Sequence, residues 1–170
     1  MYEMKERYGR EYPIYLPKYV IDALKKNAIA TIHDNKWSVS PYLGTTLTVY
    51  RTRKGYAVIA SEYTYGRGRA GEIAKVPAIV YTAFEVSTDE LEKALRHAGE
   101  ELWVRAYEEA GEAEKAREAE ERIRKWAEES ALAIRDNDLE RLMGIELVLP
   151  ERLQVAVGTY VNRKITWTKP

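Results

Sequence analysis

The longest regular pattern of apolar and charged positions runs from Ser87 to Arg135. Small or apolar residues recur there every three or four positions, as on one face of an α-helix, and charged residues fill the opposite face. The apolar face consists of Leu91, Leu95, Ala98, Leu102, Ala106, Ala110, Ala113, Ala116, Ala119, Ile123, Trp126, Ser130 and Ile134. The pattern predicts about fifty residues of nearly continuous helix.

This helix has a clear start signal and few internal breaks. The segment from Ser87 to Glu90 matches a capping box, in which a hydroxyl and a glutamate satisfy backbone amides of the first turn. Between Glu90 and Glu129 the sequence contains no Ser, Thr, Asn, Asp or Pro. Gly99 and Gly111 weaken the helix by about 1 kcal/mol each relative to alanine.

A straight helix of this length would span roughly 70 Å at 1.5 Å per residue, whereas a domain of this size has a radius of gyration of about 15 Å. Either the chain folds back near Gly111 as a helical hairpin, or its second half projects and pairs with another molecule. Alanines allow close approach of helix axes in both arrangements but bury little area alone. We expect the projecting arrangement, with a protein interface formed by Ala110, Ala113, Ala116, Ala119, Ile123 and Trp126.

Strand patterns lie on both sides of the helical block. Residues 45–53 and 56–65 are rich in β-branched and aromatic residues, and Lys54-Gly55 between them predicts a tight hairpin. Residues 76–86 form the most apolar run, with both faces apolar, which places this strand centrally in a sheet.

The two ends of the chain add shorter elements. Pro17 begins a predicted helix over residues 17–32, and Asp34-Asn35 predicts a turn. After the long helix, a turn at residues 136–138 precedes a helical turn at 139–143, closed by Gly144. Three further strands are predicted at 145–149, 153–161 and 164–168, the last two paired as a hairpin across Asn162-Arg163.

Together these elements predict one α+β domain spanning residues 1–170. A largely antiparallel sheet of about five to six strands packs against the long helix and a shorter N-terminal helix. The helical segment 87–135 either projects from this domain or forms a hairpin on it.

Composition narrows the possible partners. Lys and Arg together number 27, and Asp and Glu together also number 27, so the net charge does not support binding to nucleic acid or to an acidic membrane. The absence of Cys excludes disulfides, thiolate metal sites and cysteine nucleophiles. No signal peptide or membrane-spanning run is present, so we expect a cytoplasmic protein that does not enter the membrane. Few Asn and Gln residues beside abundant Glu, Lys and Arg are typical of hyperthermophile proteins.

Two basic clusters are candidates for anion or nucleic-acid binding. The loop containing Arg67 and Arg69 has the spacing GxGxxG at Gly66, Gly68 and Gly71, but a strand rather than a helix follows it, which excludes a dinucleotide-binding turn. The second cluster, at the predicted hairpin tip, is Arg51, Arg53 and Lys54. Because the two clusters lie at opposite ends of one strand, a long polyanion could contact both, with Tyr63 and Tyr65 as stacking surfaces.

Signals for metals and catalysis are weaker. His97 and Glu101 lie four residues apart on the helix, but Glu101 is equally placed to pair with Arg105, so we predict no metal site and no cofactor. Glu62, Glu72 and Glu85 lie on or beside strands, where carboxylates could meet in a cleft. The leading hypothesis is a non-enzymatic interaction module that self-associates or binds a protein through the long helix. A nucleic-acid-binding protein and a small enzyme with a carboxylate or histidine cleft are the alternatives.

Overall fold

A computed structural model describes residues 2–3, 7–8, 19, 22, 26–36, 43–67, 73–109, 111–150, 154–156, 159–160 and 164–170. It shows an α+β fold, as the sequence predicts, with a six-stranded antiparallel sheet under a helical layer. The strands of this sheet are β1 (Tyr2–Glu3), β2 (Arg7–Tyr8), β3 (Ala28–Lys36), β4 (Leu43–Arg51), β5 (Tyr56–Arg67) and β6 (Ile73–Val86). Their order is β1-β6-β5-β4-β3, and β2 also pairs with β6.

The predicted hairpin between β4 and β5 is confirmed. Arg51 pairs with Tyr56, and the connection passes through Gly55 at a φ of 147°. A β-carbon at Gly55 would lie 2.7 Å from the carbonyl oxygen of Val86, so the turn needs glycine for both its backbone conformation and its close contact with β6. The predicted interior strand is also confirmed, since β6 pairs with β5 on one side and with β1 and β2 on the other.

The N-terminal helix prediction is wrong at its C-terminal end. Residues 28–32 belong to strand β3, and Asp34-Asn35, predicted as a turn, continues the same strand. The reason is a period of two, because Ala30, Ile32 and Asp34 are all buried. Tyr19 and Asp22 have helical backbone conformation, and the other residues of 17–25 lie outside the described residues.

The helical block is divided into short segments. A turn of 3₁₀ helix (Thr88–Glu90) leads into α1 (Leu91–Gly99), a π-helical turn (Glu100–Val104) and α2 (Arg105–Glu109), and α3 (Ala113–Arg135) follows the break at Gly111. The capping box is incomplete. The hydroxyl of Ser87 donates to the carboxylate of Glu90 at 3.0 Å, and its side chain accepts no amide of the first turn.

The expectation of a projecting helix is wrong. The chain reverses at Gly111, and α3 packs back against α1, the π-helical turn and α2 of the same chain. This hairpin buries the large side chains of α3, Ile123 and Trp126 among them, whereas a projecting helix would leave them in water.

The predicted protein interface is therefore mostly internal. Four of its members are buried within the chain: Ala116, Ala119, Ile123 and Trp126. Ala113 is exposed, and Ala110 lies outside the described residues. Among the described residues, the large apolar side chains that remain exposed are Leu132 and Val148. In this conformation the alanine stripe holds the helical hairpin together instead of presenting a surface to a partner.

The C-terminal strands pair differently from the prediction. The short helix α4 (Leu139–Met143) is confirmed, and the side chain of Asp138 caps it by accepting the amide of Arg141 at 3.1 Å. The segment predicted as one strand contains β8 (Gln154–Ala156) and β9 (Thr159–Tyr160), which pair with each other. Strand β10 (Lys164–Thr166) pairs with β7 (Glu146–Val148), so the predicted hairpin across Asn162-Arg163 is wrong.

The end of the chain returns to the main sheet. Thr168 pairs with Thr31 of β3 through two backbone hydrogen bonds of 3.0 and 2.8 Å. Three indole rings lie in the core beneath: Trp126 meets Trp103 edge to face at 5.9 Å and stacks on Trp167 at 5.5 Å. Within the described part of the chain, each helix is too short or too polar to span a lipid bilayer.

Candidate functional site

A groove of about 610 Å³ lies between α1 and α3. It is lined by eight ionisable side chains, which are Lys93, Arg96, His97, Glu100, Arg117, Glu120, Glu121 and Arg124. We call it the interhelical groove. It exists because both helices bury their apolar stripes against the core and against each other, which leaves their charged positions on either side of a common opening.

Close packing of the two helices sets the register of the groove. A β-carbon at Gly99 would lie 2.7 Å from Cγ2 of Ile123, so glycine allows the helix axes to approach closely here. Because the helices are antiparallel, residues before Gly99 lie level with residues after Ile123. Along the helix axes, Arg96 and Arg124 therefore lie on one side of the contact between Gly99 and Ile123. Glu100 and Glu120 lie on the other side.

The cations of the groove differ in whether they form an ion pair with a described carboxylate. Arg124 contacts Glu121 at 3.3 Å. In contrast, Lys93, Arg96 and Arg117 form no ion pair with any carboxylate among the described residues. Three cationic groups on two helices thus face one cavity with capacity to bind an anion.

Glu100 is the most perturbed carboxyl group of the groove. Burial raises its pKa above the ordinary value, and the neighbouring Glu120 raises it further, while Arg96 and His97 act in the opposite direction. Glu100 also begins the π-helical turn, a helix irregularity often found at functional sites. With Glu120 it lines a second cavity of about 250 Å³, beside Glu101, Val104, Arg105 and Glu108.

The predicted basic cluster at the β4–β5 tip is present and tied to nearby aromatic and acidic groups. The guanidinium of Arg51 lies 5.6 Å from the ring centre of Tyr56, and that of Arg53 lies 5.1 Å from the ring centre of Tyr19. The Lys54 ammonium is 4.0 Å from the carboxylate of Glu85. The tip residues Arg51, Arg53 and Lys54 are exposed.

Glu85 beneath this tip is fully buried. The phenol of Tyr19 donates a hydrogen bond to its Oε1, while its Oε2 has no hydrogen-bond partner in the part of the chain that the structure describes. The hydrogen bond to Glu85 is the main cause that raises the pKa of Tyr19. This contact fixes Tyr19 against the side of the sheet that faces away from the helices.

The second predicted basic cluster is only partly described. Arg67 ends β5, and the tip with Arg51 lies at the other end of the same strand, so the two clusters are at opposite ends of the sheet as predicted. Arg69 and the side chains of Tyr63 and Tyr65 lie outside the described residues. Their predicted stacking role stays a prediction.

Of the three carboxylates named from the sequence as candidates for a catalytic cleft, Glu85 alone has a described side chain, so a meeting of the three stays a prediction. Glu85 is buried beside Tyr19, and the side chain of Glu62 and all of Glu72 lie outside the described residues. Glu101 forms an ion pair with Arg105 at 3.1 Å. The sequence left two roles open for Glu101, this ion pair and a shared metal ion with His97. Among the described residues, no three His, Asp or Glu side chains are grouped as metal ligands.

A buried polar contact was missed by the sequence reasoning. Asp34 is buried on β3, and its Oδ2 accepts a 2.8 Å hydrogen bond from Nε1 of Trp103 in the π-helical turn. Nearby, burial is the main cause that raises the pKa of Tyr107 to about 12, and its hydroxyl donates to the carbonyl oxygen of Pro150 at 3.1 Å. The alternation of Ala30, Ile32 and Asp34 was the available signal.

Comparison with known proteins found no matching family model, no similar curated protein and no similar solved structure.

Proposed function

We propose that this protein is a non-enzymatic binding module that takes an anionic, phosphate-bearing ligand in the interhelical groove. The observation that supports this proposal is that Lys93, Arg96 and Arg117 line one cavity and form no ion pair with a carboxylate among the described residues. Like the leading sequence hypothesis, the proposed role is non-enzymatic, but the ligand is an anion instead of a protein and the binding surface is a different one.

The lining of the groove indicates the chemistry of the ligand. Small-molecule sites are usually lined mainly by apolar side chains, but all eight residues here are ionisable. Recognition must then rely on charge, and the guanidinium groups of Arg96 and Arg117 can each offer paired donors to phosphate oxygens. The volume of about 610 Å³ is sufficient for a compact polyphosphate.

The carboxylates of the groove make such binding sensitive to pH. Glu100 and Glu120 would repel an anion while both are ionised. Because the pKa of Glu100 is raised, its charge is lost at a higher pH than that of an ordinary glutamate. Affinity for a phosphate-bearing ligand should therefore increase as the pH falls through the titration of Glu100.

Calorimetric titration with inorganic tripolyphosphate tests the proposal. Arg96→Ala and Arg117→Ala should each weaken binding by roughly tenfold or more, since a hydrogen bond to a charged group contributes about 1.5–3 kcal/mol. Lys125→Ala is the matched control, because Lys125 is an exposed cation of α3 that lines a different cavity. Absence of binding at low salt, or equal weakening by all three changes, would reject the proposal.

A second candidate function is binding of single-stranded nucleic acid at the β4–β5 tip. It is supported by the stacking of Arg51 on Tyr56 and of Arg53 on Tyr19, which holds two guanidinium groups at an exposed turn. Binding of a fluorescent oligonucleotide should weaken with salt and with Arg51→Ala and Arg53→Ala. Arg67→Ala and Arg69→Ala test whether the other end of the sheet takes part. No binding at low salt would dismiss this candidate.

A cytoplasmic location also belongs to the proposal. The absence of cysteine supports it, because small secreted domains often depend on disulfides. Cell fractionation would test the location directly.

A further inference from the structure

The helical hairpin reverses at a glycine in an unusual backbone conformation. Gly111 has a φ of 76°, in the left-handed region that other residues rarely occupy, and a β-carbon there would meet nothing within 4 Å. The reversal therefore needs the conformational freedom of glycine and not close packing around it, and backbone hydrogen bonds from Gly111 to Glu108 and from Glu112 to Tyr107 close the turn. Glu112, which precedes α3, makes no side-chain capping hydrogen bond.

The residues around this turn otherwise favour a continuous helix. No helix-breaking residue other than glycine occurs between Glu90 and Glu129, and the segments before and after Gly111 are already helical. Rotating the backbone at the turn into the right-handed helical region would join α2 to α3 in one helix. Such a helix cannot pack on its own subunit, because α3 would then point away from α1.

We propose that residues 112–170 can be exchanged with a second copy of this chain, with Gly111 as the hinge. In the exchanged dimer, α3 of each chain packs on α1 of its partner. The contacts that now join the two halves of one chain would form again between chains, including those of Trp103 with Trp126 and of Thr31 with Thr168. The exchange needs no new interface apart from the hinge.

This proposal returns the alanine stripe to a role in association. Small residues at Ala116 and Ala119 fit the same helix contact whether it lies within a chain or between two chains. The interhelical groove would also survive, since its α1 and α3 sides would simply come from different chains. The proposal does not depend on what the groove binds.

Gly111→Ala tests the hinge. Alanine is strained in the left-handed region and favours helix relative to glycine, so each effect should shift a chain about fivefold towards the straight form. The two effects in two chains should raise the dimerisation constant by several hundredfold, on the order of 600-fold. Sedimentation equilibrium or light scattering over a concentration series measures it.

Two further variants sharpen the test. Gly144→Ala is the matched control, since Gly144 also follows a helix but lacks a positive φ, and it should leave the monomer–dimer equilibrium unchanged. Gly111→Asn should dimerise less than Gly111→Ala, because asparagine tolerates the left-handed region better. It also provides a second measurement if the alanine variant fails to fold.

Subunit exchange distinguishes this dimer from a surface contact. When tagged and untagged Gly111→Ala dimers are mixed, an exchanged dimer should form hybrids only after partial unfolding, since its core must open first. Hybrids that form at once in native buffer would overturn the proposal. Variants at Gly111 that stay monomeric at high concentration would overturn it as well.

Discussion

The indole Nε1 of Trp103 donates a 2.8 Å hydrogen bond to Oδ2 of Asp34 and so joins the helical layer to the outermost long strand of the sheet. Both side chains are buried. Asp34→Ala should lower the free energy of unfolding by about 1–3 kcal/mol, because the indole donor would be left without this acceptor in the core. Chemical denaturation measures the loss. Asp34→Asn keeps an acceptor and should cost less; no loss for either variant would contradict this account.

The three neighbouring indoles allow a comparison between two similar substitutions. Trp126 is buried, but its Nε1 has no hydrogen-bond partner among the described residues, whereas Nε1 of Trp167 donates to the hydroxyl of Ser130 at 3.0 Å. Trp167→Phe should therefore destabilise the fold more than Trp126→Phe, by about 1 kcal/mol for the lost hydrogen bond. Trp126→Ala, which leaves a cavity, should cost about 3–5 kcal/mol. Equal losses for the two phenylalanine variants would argue against the hydrogen bond.

Gly99 permits the close contact between α1 and α3. In Gly99→Ala the new methyl group would lie 2.7 Å from Cγ2 of Ile123, so the helices must separate despite the higher helix propensity of alanine. We expect a loss of about 1–3 kcal/mol from this overpacking. Combining it with Ile123→Val, which shortens the opposing side chain, should recover part of the loss. Gly144→Ala, where the nearest atom lies at 3.4 Å, serves as the control in thermal unfolding.

The charge of Glu100 should make stability depend on pH in a defined direction. Its pKa is raised above 4.5 in the folded state, so folding favours the protonated form of this carboxyl group. The resulting contribution to stability is fully present below pH 4.5 and is lost as the pH rises through the raised pKa. Glu100→Gln should therefore gain stability over the unmodified protein at neutral pH and lose that advantage in acid. Glu114→Gln, an exposed change on α3, is the control. An advantage that is independent of pH would contradict this interpretation.

Local patterns in the sequence were sufficient for much of the fold. The turn at Gly55 and the short helix that ends at Gly144 each depend on a few neighbouring residues, and both were predicted. The fold class followed from two strand-rich blocks around one helical block. In these cases the information lies within one turn or one period of the chain.

The features that the sequence reasoning missed depend on distant residues. The reversal at Gly111 is favoured because Ile123 and Trp126 find cover on α1, which a helical period alone cannot reveal. Asp34 is typical of a turn when only its neighbours in the sequence are considered. Its burial in a strand depends on the hydrogen bond from Trp103, which is distant in the sequence. The interhelical groove requires the register of two helices, so the presence of Arg96 and Arg117 in one cavity could not be predicted from their spacing.

The bridge between Thr31 and Thr168 also bears on solubility. Strand β3 ends the main sheet, and an uncovered strand of this kind can recruit a strand from another molecule. The two backbone hydrogen bonds between Thr31 and Thr168 occupy the edge of β3 at that point. We expect the residues around Thr168 to hinder pairing of β3 with a strand of another molecule. A truncation that removes them should therefore make the protein more prone to form fibrils.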